Sequence, residues 1–115
     1  MARLTSEFWV SAYLRTRNAD GVVAVVRRRG AAEAGAVFVR IDRMDRTCDL
    51  YGPAPQSAWD DTAATGRLFA RIGPAAMPDP EAEERLAREQ RFDPDLWLVE
   101  VEDRDGRHGL ELAQG

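Results

Sequence analysis

Lysine is absent from the 115 residues, and histidine and cysteine occur once each, as His108 and Cys48. Each absence removes chemistry. Without lysine there is no Schiff-base nucleophile and no P-loop lysine for nucleotide phosphates. With one histidine, a single subunit cannot build a two-histidine metal site. With one thiol, it cannot hold zinc on several cysteines. A Ser-His-Asp or Cys-His relay would have to run through His108 or Cys48, and neither sits in a motif of that kind. One cysteine excludes an internal disulfide, which fits a reducing cytoplasm. The apolar run Val22–Val26 is far too short to span a membrane, and the first residues lack the apolar stretch of a secretory signal.

What is present is arginine and carboxylate. Sixteen arginines face twenty acids, for a net charge of −4. Codon bias in a GC-rich genome accounts for arginine in place of lysine. The physical consequence is a set of permanently charged groups that bind carboxylate or phosphate through two parallel bonds. The charge is uneven. Residues 1–47 carry nine arginines against five acids, and residues 79–115 carry five against twelve. The two ends are expected to attract, within the fold or across a symmetric dimer. The net negative charge argues against a general nucleic-acid binder.

The chain reads as one α+β domain over residues 1–115. A helix starts at Thr5 or Ser6, with Glu7 in its first turn, and stops at Asp20-Gly21. Val22–Arg29 and Ala36–Arg43 read as the strands of a hairpin, with Val26 opposite Val39 and Ala24 opposite Ile41. Cys48–Tyr51 follows, with Cys48 and Leu50 continuing the same apolar face. Gly52-Pro53-Ala54-Pro55 ends this meander. The loop to residue 66 is anchored by Trp59 and exposes Asp60-Asp61. Arg67–Ile72 reads as a strand and Gly73–Pro78 as a linker. Asp79-Pro80-Glu81 starts a second helix, which runs to Phe92 with Ala82, Leu86 and Phe92 on its apolar stripe. Glu81–Arg85 and Glu84–Arg88 are spaced to pair along it. Leu96–Asp103 is a strand, and Asp105-Gly106 turns it into a return strand, Arg107–Leu112. The order predicts a two-layer sandwich, a mostly antiparallel sheet with two helices on one face. The other face would carry Val23, Val25, Phe38, Leu96 and Leu98 among arginines and acids. That is too apolar to lie bare, so these five are the candidate interface.

Two clusters compete as chemistry. Asp95, Glu100 and Glu102 form the acidic candidate. Glu100 and Glu102 point the same way on a strand, and such a pair can share a hard divalent ion. The pattern faintly resembles a metal-dependent nuclease core, but it lacks the lysine and its spacing is too short. Arg27, Arg29 and Arg40 form the basic candidate, suited to phosphate or RNA. The sheet lacks the aromatic platform expected for RNA, since only Phe38 and Tyr51 qualify. The plainer reading is that these acids and arginines pair across the sheet. Cys48 reads as a buried hydrophobe, His108 as exposed, and the tryptophans as core or interface anchors. Asp103-Arg104-Asp105-Gly106 begins like a calcium loop, but without the remaining ligands it reads as a turn.

Four blocks, LTSEFWVSAYL (Leu4–Leu14), GAVFVRID (Gly35–Asp42), LYGPAPQS (Leu50–Ser57) and RFDPDLWLVEVEDRDGR (Arg91–Arg107), together span most of the chain. They resemble a small bacterial family, domain of unknown function 1491. The resemblance implies a stand-alone protein of about this length and brings no activity, ligand or catalytic residue. The expectation is therefore a cytoplasmic, non-enzymatic binding module that self-associates or binds another protein, with no cofactor or metal implied. Nucleic acid is not favoured as a partner, and no membrane is involved. The alternatives are the metal-dependent hydrolase or nuclease and the arginine-patch RNA or phosphate binder.

Overall fold

The computed structural model describes residues 4–55 and 67–113. Trp59 and Asp60-Asp61 lie outside the described residues. The elements are α1 (Ser6–Ala19), β1 (Val23–Arg28), β2 (Val37–Asp42), β3 (Thr47–Pro53), β4 (Phe69–Pro78), α2 (Asp79–Phe92) and β5 (Trp97–Glu102). This is an α+β fold around one five-stranded sheet, in the order β1-β5-β2-β3-β4. All pairings are antiparallel except β2 with β5. No helix in the described part is long and apolar enough to cross a membrane.

The expected hairpin between β1 and β2 does not form. The last strand, β5, inserts between them. Ala24 meets Val101 and Val26 meets Val99 on one side of it. Val39 meets Val99 and Ile41 meets Val101 on the other. The four residues do share a face, but through β5. Leu96, Trp97, Leu98 and Val99 are all buried. A strand that is apolar on both faces buries more surface at the centre of a sheet than at its edge.

The helices lie on opposite faces, which corrects the two-layer expectation. Trp9, Val10 and Tyr13 of α1 pack with Ala24, Val37, Val39, Ile41, Tyr51, Phe69, Trp97, Val99 and Val101. Ala82 and Leu86 of α2 pack with Phe38, Cys48, Leu50, Met77, Leu96 and Leu98. Strand residues alternate faces, so the sheet separates two cores. Cys48 and Leu50 belong to the α2 side, not to the α1 side as expected, because Tyr51 is the residue of β3 that meets Val39. A shift of one residue exchanges the faces of a strand. Phe92 is no part of the α2 stripe and is 84% exposed.

The segment expected as a linker, Gly73–Pro78, belongs to β4. The pairing jumps from Leu50↔Ile72 to Cys48↔Met77, and the excess residues loop out. Gly73 and Ala76 adopt positive φ there, +70° and +54°. β3 also runs further than expected, to Pro53. Gly52 permits this, since a Cβ there would lie 2.8 Å from the Phe38 ring. The return strand 107–112 does not form. After the turn at Gly106 the chain carries a second left-handed glycine, Gly109, and its backbone joins the sheet at a parallel bridge between Leu112 and Phe69.

The two helix starts differ. Thr5 Oγ1 accepts from Phe8 N at 3.2 Å. At α2 the cap position falls to Pro78, because the Asp79 carboxylate is drawn away to Arg40. Arg85 turns forward to Glu89 (3.4 Å) rather than back to Glu81.

The double burial of β5 predicts that Leu98→Ala lowers stability by about 2–5 kcal/mol, while Val25→Ala costs under about 1 kcal/mol. Urea denaturation of both variants checks the contrast.

Candidate functional site

The acidic and basic candidates meet at one residue, Glu100, which Arg27 and Arg40 hold. Arg40 rises from β2 on the α2 side with its side chain 7% exposed. It donates to Glu100 of β5 at 2.9 Å and to Asp79 of α2 at 2.7 Å. Its Nε lies 3.3 Å from Glu83. Arg27 of β1 holds Glu83 with two bonds of 2.9 Å and reaches Glu100 at 3.1 Å. The Arg27 hydrogen bonds hold the Glu83 carboxyl below its usual range. This network ties the positive N-terminal half of the chain to the negative C-terminal half. Arg29 stands apart. It pairs with Glu7 of α1 and lies over the Trp97 ring, 5.1 Å from its centroid.

The carboxylates are not assembled for a metal. Asp95 is exposed in the turn before β5, where its N–H donates to Asp93 at 3.0 Å. Glu100 lies within β5, beyond that turn. Glu102 sits at the far end of β5 between Val23 and Asp42. Among the described residues no group of three or more His, Cys, Asp or Glu is arranged to hold a metal ion. The three arginines likewise form no common clamp.

The interface candidates divide. Phe38, Leu96 and Leu98 are buried under α2 and are unavailable to a partner. The sequence expectation left that face bare because it placed both helices on the other one. Val23 and Val25 remain open, 53% and 48% exposed, because α2 packs over β3 and β4. They form a valine strip beside Glu102, with Met44 exposed nearby.

A second polar cluster escaped sequence reasoning. Asp49 is fully buried on the α1 side. It accepts from Arg43 at 2.8 and 3.0 Å, from Arg71 at 3.1 Å, and from Ala76 N at 2.7 Å. Burial alone would raise its pKa, but the Ala76 N–H and the two guanidiniums outweigh burial and hold the carboxyl below its usual range. The same Ala76 bond stabilises the left-handed residue in the β4 bulge. Arg71 lies over Tyr51, and Tyr51 packs on His108 with ring centroids 4.8 Å apart. His108 is half-buried rather than exposed as expected. Its Nδ1 accepts from Leu110 N at 2.8 Å, and its carbonyl accepts from the Tyr13 hydroxyl. Burial, then Arg71 and Arg17, push its pKa below the ordinary 6.5. The missed signal was Asp49 itself, a lone acid between Cys48 and Leu50, two residues that alternation assigned to one face. Cys48 is buried and unpaired, and burial raises its thiol to about 11.

The fold and these clusters define a small α+β protein whose charged groups chiefly satisfy one another. Residues 4–111 match the family model DUF1491, described as a protein of unknown function, and the chain belongs to that family. A crystal structure of a DUF1491 family protein from Caulobacter crescentus CB15 is 33% identical, with 98% of this chain and 100% of that chain covered and a TM-score of 0.78. The solution structure of protein Atu0922 from A. tumefaciens is 42% identical over 99% and 98% of the two chains, with a TM-score of 0.80. An NMR structure of a DUF1491 family protein from Caulobacter crescentus CB15 gives 34%, full coverage of both chains and 0.78. No curated protein matches the chain.

Arg40→Ala leaves Glu100 and Asp79 facing each other half-buried, and costs about 3–5 kcal/mol. Arg29→Ala, at an exposed pair, costs under about 1 kcal/mol. Chemical denaturation separates the two. His108 has a folded pKa below its unfolded one, so its contribution is complete above the ordinary imidazole value and is lost as pH falls through the folded value. The unfolding midpoint is expected to drop between pH 7.5 and 5.5, and His108→Gln flattens that slope.

Proposed function

We propose that this protein is a non-enzymatic interaction module that self-associates through the valine strip of β1. The observation that carries the reading is the exposure of Val23 and Val25 on a sheet face that α2 covers elsewhere. Apolar strand residues left open beside a polar rim are a common feature of association surfaces. The charged residues that offered rival chemistries support the same reading. Glu100 is held between Arg27 and Arg40, and Arg29 pairs with Glu7, so one carboxylate of the hydrolase alternative and all three arginines of the arginine-patch alternative already have partners. A cytoplasmic location goes with this reading, supported by a single unpaired cysteine.

Sedimentation equilibrium over a concentration series tests the proposal. The wild-type protein is expected to dimerise in the micromolar range, and Val25→Glu to remain monomeric with an unchanged circular dichroism spectrum. A wild-type protein that stays monomeric at millimolar concentration would overturn it.

A further inference from the structure

We infer that the outer edge of β1 is a strand-pairing site for a second copy of this chain, held shut in the monomer by the side chain of Asn18. The inference rests on the self-association reading and specifies its geometry. Trp97 N bonds to Ala36 O, so Trp97, Val99 and Val101 turn their backbone groups toward β2. Leu98, Glu100 and Glu102 therefore turn theirs toward β1, and meet Val23 and Val25. Ala24 and Val26 are left with N–H and C=O directed outward. At Ala24 the place of a neighbouring strand is taken by Asn18 at the end of α1. Asn18 Oδ1 accepts from Ala24 N at 3.1 Å, and its Nδ2 donates to Ala24 O at 3.2 Å. This is the two-way exchange a paired strand residue would make. The outward groups of Val26 have no protein partner among the described residues.

The occupant is a second β1, antiparallel and centred on Val25. In that register Ala24 of each copy meets Val26 of the other, and both residues face outward, so four backbone bonds form. Val25 meets Val25 at a non-hydrogen-bonded site. Arg27 of the second copy comes opposite Val23, one strand from Glu102, so the two copies bring opposite charges near each other while Arg27 keeps its bonds to Glu83 and Glu100. The arginines of the two strands lie at opposite ends. Neighbouring registers are worse. One uses Val22, whose N–H is already bonded to Arg17 O, and the other runs into the bulge between Val26 and Arg28. The far edge of the sheet is closed. β4 carries Pro74 and Pro78, and Phe69 bonds to Glu111 and Ala113. One open edge gives a closed dimer with a ten-stranded sheet, not a fibre.

Cross-linking and edge variants test this. Oxidised Val25→Cys is expected to form a covalent dimer, because residues at such a site have Cα atoms about 4.5 Å apart. Val23→Cys is not, since four residues of offset separate the two copies by about 13 Å. Cys48 is buried and gives no background. Val26→Pro removes an outward N–H without breaking a β1–β5 bond, and is expected to abolish the dimer while leaving the spectrum unchanged. Asn18→Ala opens the edge and tightens association about tenfold. If the dimer survives Val26→Pro and Val25→Cys cross-links no better than Val23→Cys, this inference falls while self-association stands. If the wild type is monomeric but Asn18→Ala dimerises and Val25→Cys traps it, the gate is supported and the wild-type self-association reading falls. A monomer throughout removes both.

Discussion

The structure depends on the insertion of β5 between β1 and β2. A parallel pair cannot be joined by a tight turn, so β2 and β5 need a connection that leaves the sheet and returns. Here that connection is β3, β4 and α2, which lays α2 across the face opposite α1. Both cores follow from it. Val99 and Val101 complete the core under α1, and Leu98 completes the core under α2. β5 pairs on both sides, with β1 and with β2, and β1 is left at the edge of the sheet, where Val23 and Val25 meet solvent.

The charged residues reinforce this arrangement more than they offer chemistry. Arg40 comes from the second strand of the sheet in sequence, Glu100 from the last, and Asp79 and Glu83 from α2. Three segments distant in sequence are therefore pinned at one buried guanidinium. The planar fork of arginine suits such a site, because one side chain can serve several carboxylates at once. Asp49 does the same on the other face, joining the β2–β3 turn, the β4 bulge and β4 itself through Arg43, Ala76 and Arg71. Carboxylates and guanidiniums spent in this way are poor candidates for binding a metal or a phosphate. The valines of β1 remain among the apolar side chains that the fold leaves open.

Much of the local structure was legible. Thr5 as a cap, Asp20-Gly21 as a stop, Asp79-Pro80 as a start and the strand at Leu96 all rest on short-range rules, and they hold in the fold. The pairing of acids with arginines 27 and 40 was legible too, from charge distribution alone. The strip Val23 and Val25 could be read as surface, whereas Phe38, Leu96 and Leu98 could not be separated from it, because their burial depends on where α2 lands. The unbroken apolar run Leu96–Val99 fits a strand buried on both faces, but the run Val22–Val26 is just as apolar and lies at the edge, so continuity alone did not separate interior from edge.

The amino-acid order by itself determined the helices, most strand positions, the absence of lysine- and multi-histidine chemistry, and the need for arginine–carboxylate pairing. Those properties depend on side-chain type and on neighbours a few residues away. Strand order, the face assigned to each helix, the inward turn of Asp49 and His108, and the capping of Ala24 by Asn18 were decided only by tertiary structure. They depend on contacts between residues far apart in sequence, and a shift of one residue or one strand position reverses what is buried and what is open.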